Sequence, residues 1–375
     1  MRVLVLHSRY LSGPASGENR VAEDEIRLLE QAGHPVSSWM PEYGDAGGAR
    51  AAGRAVWSRR AKSRVSCVAD SGSADVVHVH NVFPNLSPSV LRSSIATVMT
   101  LHNFRLACLP ATFLRDGRIC EDCLGRAPWP GVLHACYRKS GLASAVLATS
   151  LTVHHAVGTF DRVTLYAAVS QFIKDKLVEG GLNRERIRVR HNFSWPIERR
   201  VGPGTYFLSV GHLSPEKGLD TIVRNWPSHT ALVVVGDGPD RARLESIASG
   251  RVEFRGLVDA EHVSPLLRGA RSLLVPSRSY EGSPRTIVEA FAAGVSVVAS
   301  RIGGLPEYVE HEISGLLAEP CDVDEWAEAV QSLEDDDLAE RLGDGAYAAW
   351  QERFSPEIGL RSLEALYEEA ITRAA

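Results

Sequence analysis

The chain has 375 residues, 44% of them hydrophobic and 23% charged, with a formal net charge of −5. That length exceeds one ordinary core and predicts two domains of globular composition. The acidic balance argues against a nucleic-acid binder, and no apolar run approaches the roughly 20 residues of a membrane span.

RVLVLH (2–7) reads as a buried parallel strand. It has neither the basic start nor the small-residue cleavage site of a leader, so the expectation is a cytoplasmic protein. A loop with Gly13 and Gly17 follows, then a helix from about Glu18 to Gln31 that Gly33 closes, and HPVSSW begins the next strand. From Ala46 to Ala69 there is no acidic residue, while Arg50, Arg54, Arg59, Arg60, Lys62 and Arg64 cluster around Trp57. Two readings are open: a solvated helix face or loop, or peripheral contact with an anionic membrane through 50–64.

ADVVHVH (74–80) and ATVMTLH (96–102) are further strands, each ending in histidine, and LYAAVS (165–170) and RIRVRHN (186–192) complete the series. His78 and His80 read as strand residues or cleft wall, since their spacing gives no complete metal site. WPIERRVGPG, near Ser194–Gly204, has the composition of a linker. A second series follows: TYFLSVG, ALVVVGDG, RVEFRG, RSLLVPS and VSVVAS. This β-α alternation specifies α/β architecture, two Rossmann-like doubly wound domains with ligands beyond the strand C-terminal ends. The tail is helical, with Ser355 as cap and Pro356 at the first position of the final helix. The expected division is 1–196 (with a cysteine-bearing insertion at about 104–140), 197–355, and a C-terminal helix, 356–375, packing back on the first domain.

Four of the six cysteines lie in that insertion: Cys108, the CEDC pair Cys120 and Cys123, and Cys136. A structural zinc site, reduced core thiols and a disulfide are all open readings, with a reducing compartment disfavouring the last.

Four motifs of the second half fall at strand ends. GHLSPEKG (211–218) would place Lys217 beside a helix start, and VGDGP (235–239) brings Gly238 to a turn where a backbone can approach a base or ribose. In YEGSPRTIVEAFAAG, Glu281 precedes a Gly282-Ser283-Pro284 turn and Glu289 projects from the helix it opens, with Pro284 expected in the first helical turn. IGGLPEYV (302–309) is another glycine-rich turn. One such turn is weak evidence, but four at successive strand ends are not. Carboxylates flanking a helix N-terminus suit a ligand with both hydroxyls and phosphates, as a sugar nucleotide has.

The order GxLxxEKG, VGDGP, E-x7-E, GGxPE resembles the retaining glycosyltransferases of family 4, of the polysaccharide and exopolysaccharide type. The resemblance implies the GT-B fold, with the two domains facing across a cleft and the C-terminal helix crossing back to the first. It implies that Glu289 binds the ribose and Glu281 the transferred sugar, with Gly282, Ser283 and Arg285 near sugar and phosphate and Lys217 on the diphosphate. It also sets His102 beside the donor sugar and the Gly13/Gly17 loop near acceptor and phosphates. After Gly211 the family usually has arginine where this chain has His212, which lacks the guanidinium fork. The implied donor is a nucleoside diphosphate sugar, with no catalytic cofactor, and the acceptor a hydroxyl on a polysaccharide, glycolipid or metabolite. Two other readings remain: an acceptor-independent sugar-nucleotide hydrolase or epimerase, and a non-catalytic binding protein. A dehydrogenase is disfavoured because the first loop lacks G-x-G-x-x-G.

Overall fold

The computed structural model describes residues 1–9, 17–42 and 49–375, with only the backbone described at 49, 50, 260 and 261. Gly13 lies outside the described residues. The chain divides into two compact units. The first comprises 1–115, 120–190 and 360–375; the second is 191–359 with the short piece 116–119.

In the first unit the strands are β1 (Val3–His7), β2 (Val36–Trp39), β3 (Val76–Asn81) and β4 (Ala96–Leu101). After the two-residue strands β5 (Leu114–Arg115) and β6 (Arg118–Ile119), the latter within the piece 116–119 grouped with the second unit, come β7 (Leu165–Ala168) and β8 (Ile187–Val189). Six of them form an all-parallel sheet in the order β2-β1-β3-β4-β7-β8. Parallel strands are covered on both faces, which is why all residues of β1, β3, β4 and β7 are buried, the polar His78, His80, Thr97 and Thr100 among them. One face packs Val3, Val5, Val76, Val98 and Leu165 against Leu363, Leu366, Tyr367 and Ala370 of the helix Pro356–Ala374. The basic stretch forms two helices, Ala49–Val56 and Arg59–Asp70, the second capped by the Ser58 hydroxyl. Trp57 stacks on His154 of the helix Gly141–Ala156 at 4.9 Å between ring centres.

The second unit holds β9 (Tyr206–Val210), β10 (Ala231–Val235), β11 (Arg251–Gly256), β12 (Ala270–Val275), β13 (Ser296–Ser300) and β14 (Gly315–Ala318). Its parallel order is β11-β10-β9-β12-β13-β14. Strand alternation separates two cores. Phe207, Leu232, Val234, Leu274 and Val298 meet Trp226 and Trp326 on one face. On the other, Leu208, Val233, Leu273 and Val297 meet Ile287, Val288 and Phe291 of the helix Arg285–Ala292. The sequence order of neighbours reverses between β9 and β12, and in open α/β sheets ligands bind beyond the strand ends at such a point.

Candidate functional site in the second unit

The loops that leave β9 and β12 meet at that reversal. The first is GHLSPEKG, whose Pro215–Lys217 is a single 3-10 turn followed by Gly218 in the left-handed region at φ +67°. The next helix starts only at Asp220, so Lys217 stands in a tight turn and not beside a helix start as its spacing suggests. A Cβ on Gly218 would collide with the carbonyl oxygen of Pro276, and the Arg278 amide donates to the Glu216 carbonyl at 2.8 Å. The two loops are thereby locked together.

Across this junction Lys217 Nζ donates to Glu281 Oε1 at 2.7 Å, and the Ser277 hydroxyl donates to the same oxygen at 2.7 Å. Burial opposes ionisation of Glu281 most strongly, yet the Lys217 charge and the two hydrogen bonds hold its carboxyl below the ordinary value. Burial likewise works against the Lys217 ammonium, and Glu281 outweighs it, so that pKa is raised. Both groups are charged through the neutral range. A third loop supports them. Gly303, at φ +61°, lies so close that a Cβ would stand 2.7 Å from the Glu281 amide, and the Gly304 amide donates to the Glu281 carbonyl at 2.8 Å.

Beyond Gly282, the Ser283 hydroxyl oxygen accepts from Asn192 Nδ2 at 2.8 Å and from the buried Tyr308 hydroxyl at 2.7 Å. Pro284, with ψ of 117°, is the residue before the helix, so the helix begins one position later than the proline suggests. Arg285 and Glu289, one turn apart, pair at 3.1 Å with side chains 14% and 16% exposed. The arginine therefore has a carboxylate partner of its own as well as any ligand. Gly211 and His212 are exposed at the end of β9, and the Gly238 amide donates to Asp237 Oδ1 at 2.7 Å. The structure thus brings Lys217, Glu281, Ser277 and Ser283 to adjoining loops, with Glu289 eight positions beyond Glu281. Asn192 and Ser277 carry no motif signal, and Tyr308 lies within IGGLPEYV without being one of its glycines; the contacts of Tyr308 join residues as far apart as 117 positions.

In the first unit, His102 follows β4, and its Nε2 lies 3.0 Å from His80 Nδ1 with the rings stacked. Burial, followed by the charges of His7 and Arg190, lowers its pKa to about 3, so the ring is neutral. Behind it Glu25 pairs with Arg190 at 2.5 Å, and its other oxygen is 3.4–3.5 Å from His80 Nε2 and His78 Nδ1. Glu25, His78 and His80 have ligand atoms within 4.8 Å of one another. They do not suit a cation: a guanidinium already faces the carboxylate, and both His78 nitrogens meet hydroxyls, of Tyr367 and Thr100, at 2.7 Å. They form a buried polar network. Gly17 opens the first helix. A cavity of about 930 Å³ in this unit is lined by Trp39, Arg54, Arg60, Arg64, Tyr137 and Arg138 among others. Cys108, Cys120, Cys123 and Cys136 line a separate cavity of about 20 Å³.

Two doubly wound units, the second with charged and hydroxyl-bearing side chains gathered at its strand-order reversal, define the fold class, and comparison with known proteins agrees. Residues 15–193 match the model "Glycosyltransferase Family 4" and residues 204–336 match "Glycosyl transferases group 1". Among solved structures, the Anabaena protein HepE in complex with UDP aligns with 98% of this chain and 100% of its own, with a TM-score of 0.63 at 19% identity. The chain has the two-domain GT-B fold. It is 31% identical over 177 residues to an uncharacterized glycosyltransferase of Methanocaldococcus jannaschii, covering 43% of this chain and 45% of that protein. With the D-inositol 3-phosphate glycosyltransferase of Corynebacterium kroppenstedtii it shares 32% identity over 181 residues, 47% of this chain and 40% of the other. The chain thus spans about half or less of the length of these curated relatives. No described helix is long and apolar enough to cross a membrane.

Proposed function

We propose that this chain is a retaining glycosyltransferase that moves a sugar from a nucleoside diphosphate to an acceptor hydroxyl. The observation that carries the reading is the Lys217–Glu281 pair at the β9/β12 reversal, 2.7 Å apart and backed by Ser277. In this reading the second unit takes the donor, with Glu289 on the ribose hydroxyls and the Gly211–His212 and Gly238 turns close to base and diphosphate. Glu281 holds the sugar hydroxyls. Lys217 faces the charge that grows on the departing diphosphate, so its contribution is larger in the transition state than in the ground state. The Ser283–Arg285 turn and the helix it opens add amide dipoles on the same side. With Lys217 already engaging Glu281, that carboxylate is too well paired to be a strong nucleophile. This favours a same-face displacement in which the bond from anomeric carbon to phosphate oxygen breaks as the acceptor oxygen approaches. The leaving phosphate then takes the acceptor proton.

The first unit would take the acceptor, with neutral His102 donating or accepting a hydrogen bond at the sugar. Its arginine-lined cavity suits an acceptor carrying an anionic group, such as a glycolipid or growing polysaccharide at a membrane surface. UDP sugars are the first donors to examine, since HepE is described in complex with UDP and with UDP-glucose.

A thermal-shift screen of nucleoside diphosphates and their sugars tests the donor site. A ligand at about 100 times its dissociation constant stabilises the fold by about 2.7 kcal/mol. No shift with any of them would refute the donor site. Donor turnover that is quantitative without any acceptor would favour a hydrolase instead.

A further inference from the structure

The excursion between β4 and the helix Gly141–Ala156 carries four cysteines to which the proposed reaction gives no role. None of them is in a disulfide, and all four line the same cavity of about 20 Å³. Thiolate is the form in which cysteine binds a metal, and four cysteines at one cavity make a complete ligand set.

The backbone supplies a second, independent observation. The excursion's regular elements are the five-residue helix Trp129–Leu133 and two strands of two residues. Yet six of the nine described non-glycine residues with positive φ lie here: Ala111, Phe113, Asp116, Ala135, Arg138 and Lys139. Such conformations persist only where surrounding structure enforces them, and short ladders cannot do so. Small, irregular segments of this kind are held by cross-links.

We infer that Cys108, Cys120, Cys123 and Cys136 form a tetrathiolate site for a single zinc ion that staples this excursion. Four thiolates select zinc or an iron–sulfur centre, and the metal assay below separates the two. Arg115 and Asp122 line the same cavity and pair with each other at 2.8 Å. Among the described residues, the cluster whose ligand atoms all lie within 4.8 Å is Glu25–His78–His80, so the four sulfurs stand wider than a closed tetrahedron. Ligation contracts the loop around the ion and releases the thiol protons to solvent, with nothing oxidised or reduced. The site lies just past His102: the Cys108 amide donates to the Phe104 carbonyl at 2.8 Å, so the staple also fixes the path of Asn103–Arg105.

The full chain, purified from zinc-supplemented medium, is to be assayed for metal, and its metal-free form titrated with Co²⁺ alone. About one equivalent of zinc is expected, with tetrahedral thiolate–cobalt absorption saturating at one equivalent. Cys120→Ser/Cys123→Ser loses both, while Cys67→Ser/Cys321→Ser, at two exposed positions, keeps them. Zinc below about a tenth of an equivalent, with no cobalt spectrum, overturns the assignment. One full equivalent retained by Cys120→Ser/Cys123→Ser does so equally. Should that variant fail to fold, the wild type decides: chelation must expose 104–140 to trypsin, and an unchanged cleavage pattern refutes the staple.

Discussion

Glu281→Gln separates what the Lys217 pair does for the fold from what it does for the reaction. The amide keeps the side chain's shape and a hydrogen bond from Ser277, but cancels the attraction to an ammonium 2.7 Å away. Because the Lys217 side chain is 36% exposed, water screens the loss, and the stability cost is about 1–2 kcal/mol. In a unit of roughly 170 residues each kcal/mol moves Tm by about 2–4 °C, so the shift is about 2–8 °C. Sugar transfer, by contrast, falls about 100-fold or more, as when a preorganised polar contact in a reaction site is removed. Initial rates with saturating donor and calorimetry on one preparation give both numbers. Wild-type transfer by the folded variant would refute the catalytic reading, and a Tm loss above about 15 °C would mark Glu281 as structural. The pH dependence adds a check on sign. A carboxyl lowered by folding contributes fully above its unfolded value, near 4.5, and loses that contribution as pH falls through the lower folded value. The stability gap between wild type and variant should therefore be constant around neutrality and close in acid.

Further measurements probe the supports of this arrangement. Gly303→Ala would press a Cβ against the Glu281 amide at φ +61° and is expected to lower transfer by at least about tenfold and destabilise by about 1–3 kcal/mol; unchanged kinetics would mean the third loop does not position Glu281. Arg190→Met strands the buried Glu25 carboxylate and should cost about 3–5 kcal/mol, largely recovered in Arg190→Met/Glu25→Gln. Equal urea midpoints for the single and double variants would refute that pairing. Burial keeps His102 neutral down to a pKa of about 3, whereas the unfolded chain protonates it near 6.5, so it destabilises the native state as pH falls through that window. Buried Glu18 and Glu25, whose pKa values are raised, act in the opposite sense, so the comparison must be with His102→Asn. The variant should gain on wild type between pH 7 and 5, and a pH-independent difference in urea midpoint contradicts the reading.

The parallel strands were legible because burial on both faces leaves an unbroken apolar run, as in VLVLH or SVVAS. β14 escaped that reading: Gly315–Ala318 is four residues long and has three apolar side chains, too short a run to stand out. The helix Gly141–Ala156 is apolar nearly all round, with Leu147, Ala148 and Leu151 buried among alanines, so it shows no stripe to recognise. Glu281, Lys217 and Glu289 stand out as motif positions, but their partners do not. Arg285–Glu289 is a local pair that spacing permits without requiring, and Lys217–Glu281 closes over 64 positions. Glu25–Arg190 closes over 165, and nothing near either residue announces it. Motif chemistry is written locally; charge compensation is written through space.

The helix that carries Leu363, Leu366 and Tyr367 has a consequence for biosynthesis. Those side chains complete the core around Val3, Val5 and Val76, although 169 intervening residues, 191–359, belong to the other unit. On the ribosome, the second unit's β9–β14 sheet is therefore fully synthesised before the first unit has all of its core. Until residues 360–375 emerge, that face of the sheet keeps the cover of Leu29 and Ile26 from the first helix and is open elsewhere, an aggregation-prone surface of the kind chaperones bind. The order in which this protein becomes folded is thus set to run against the order in which it is made.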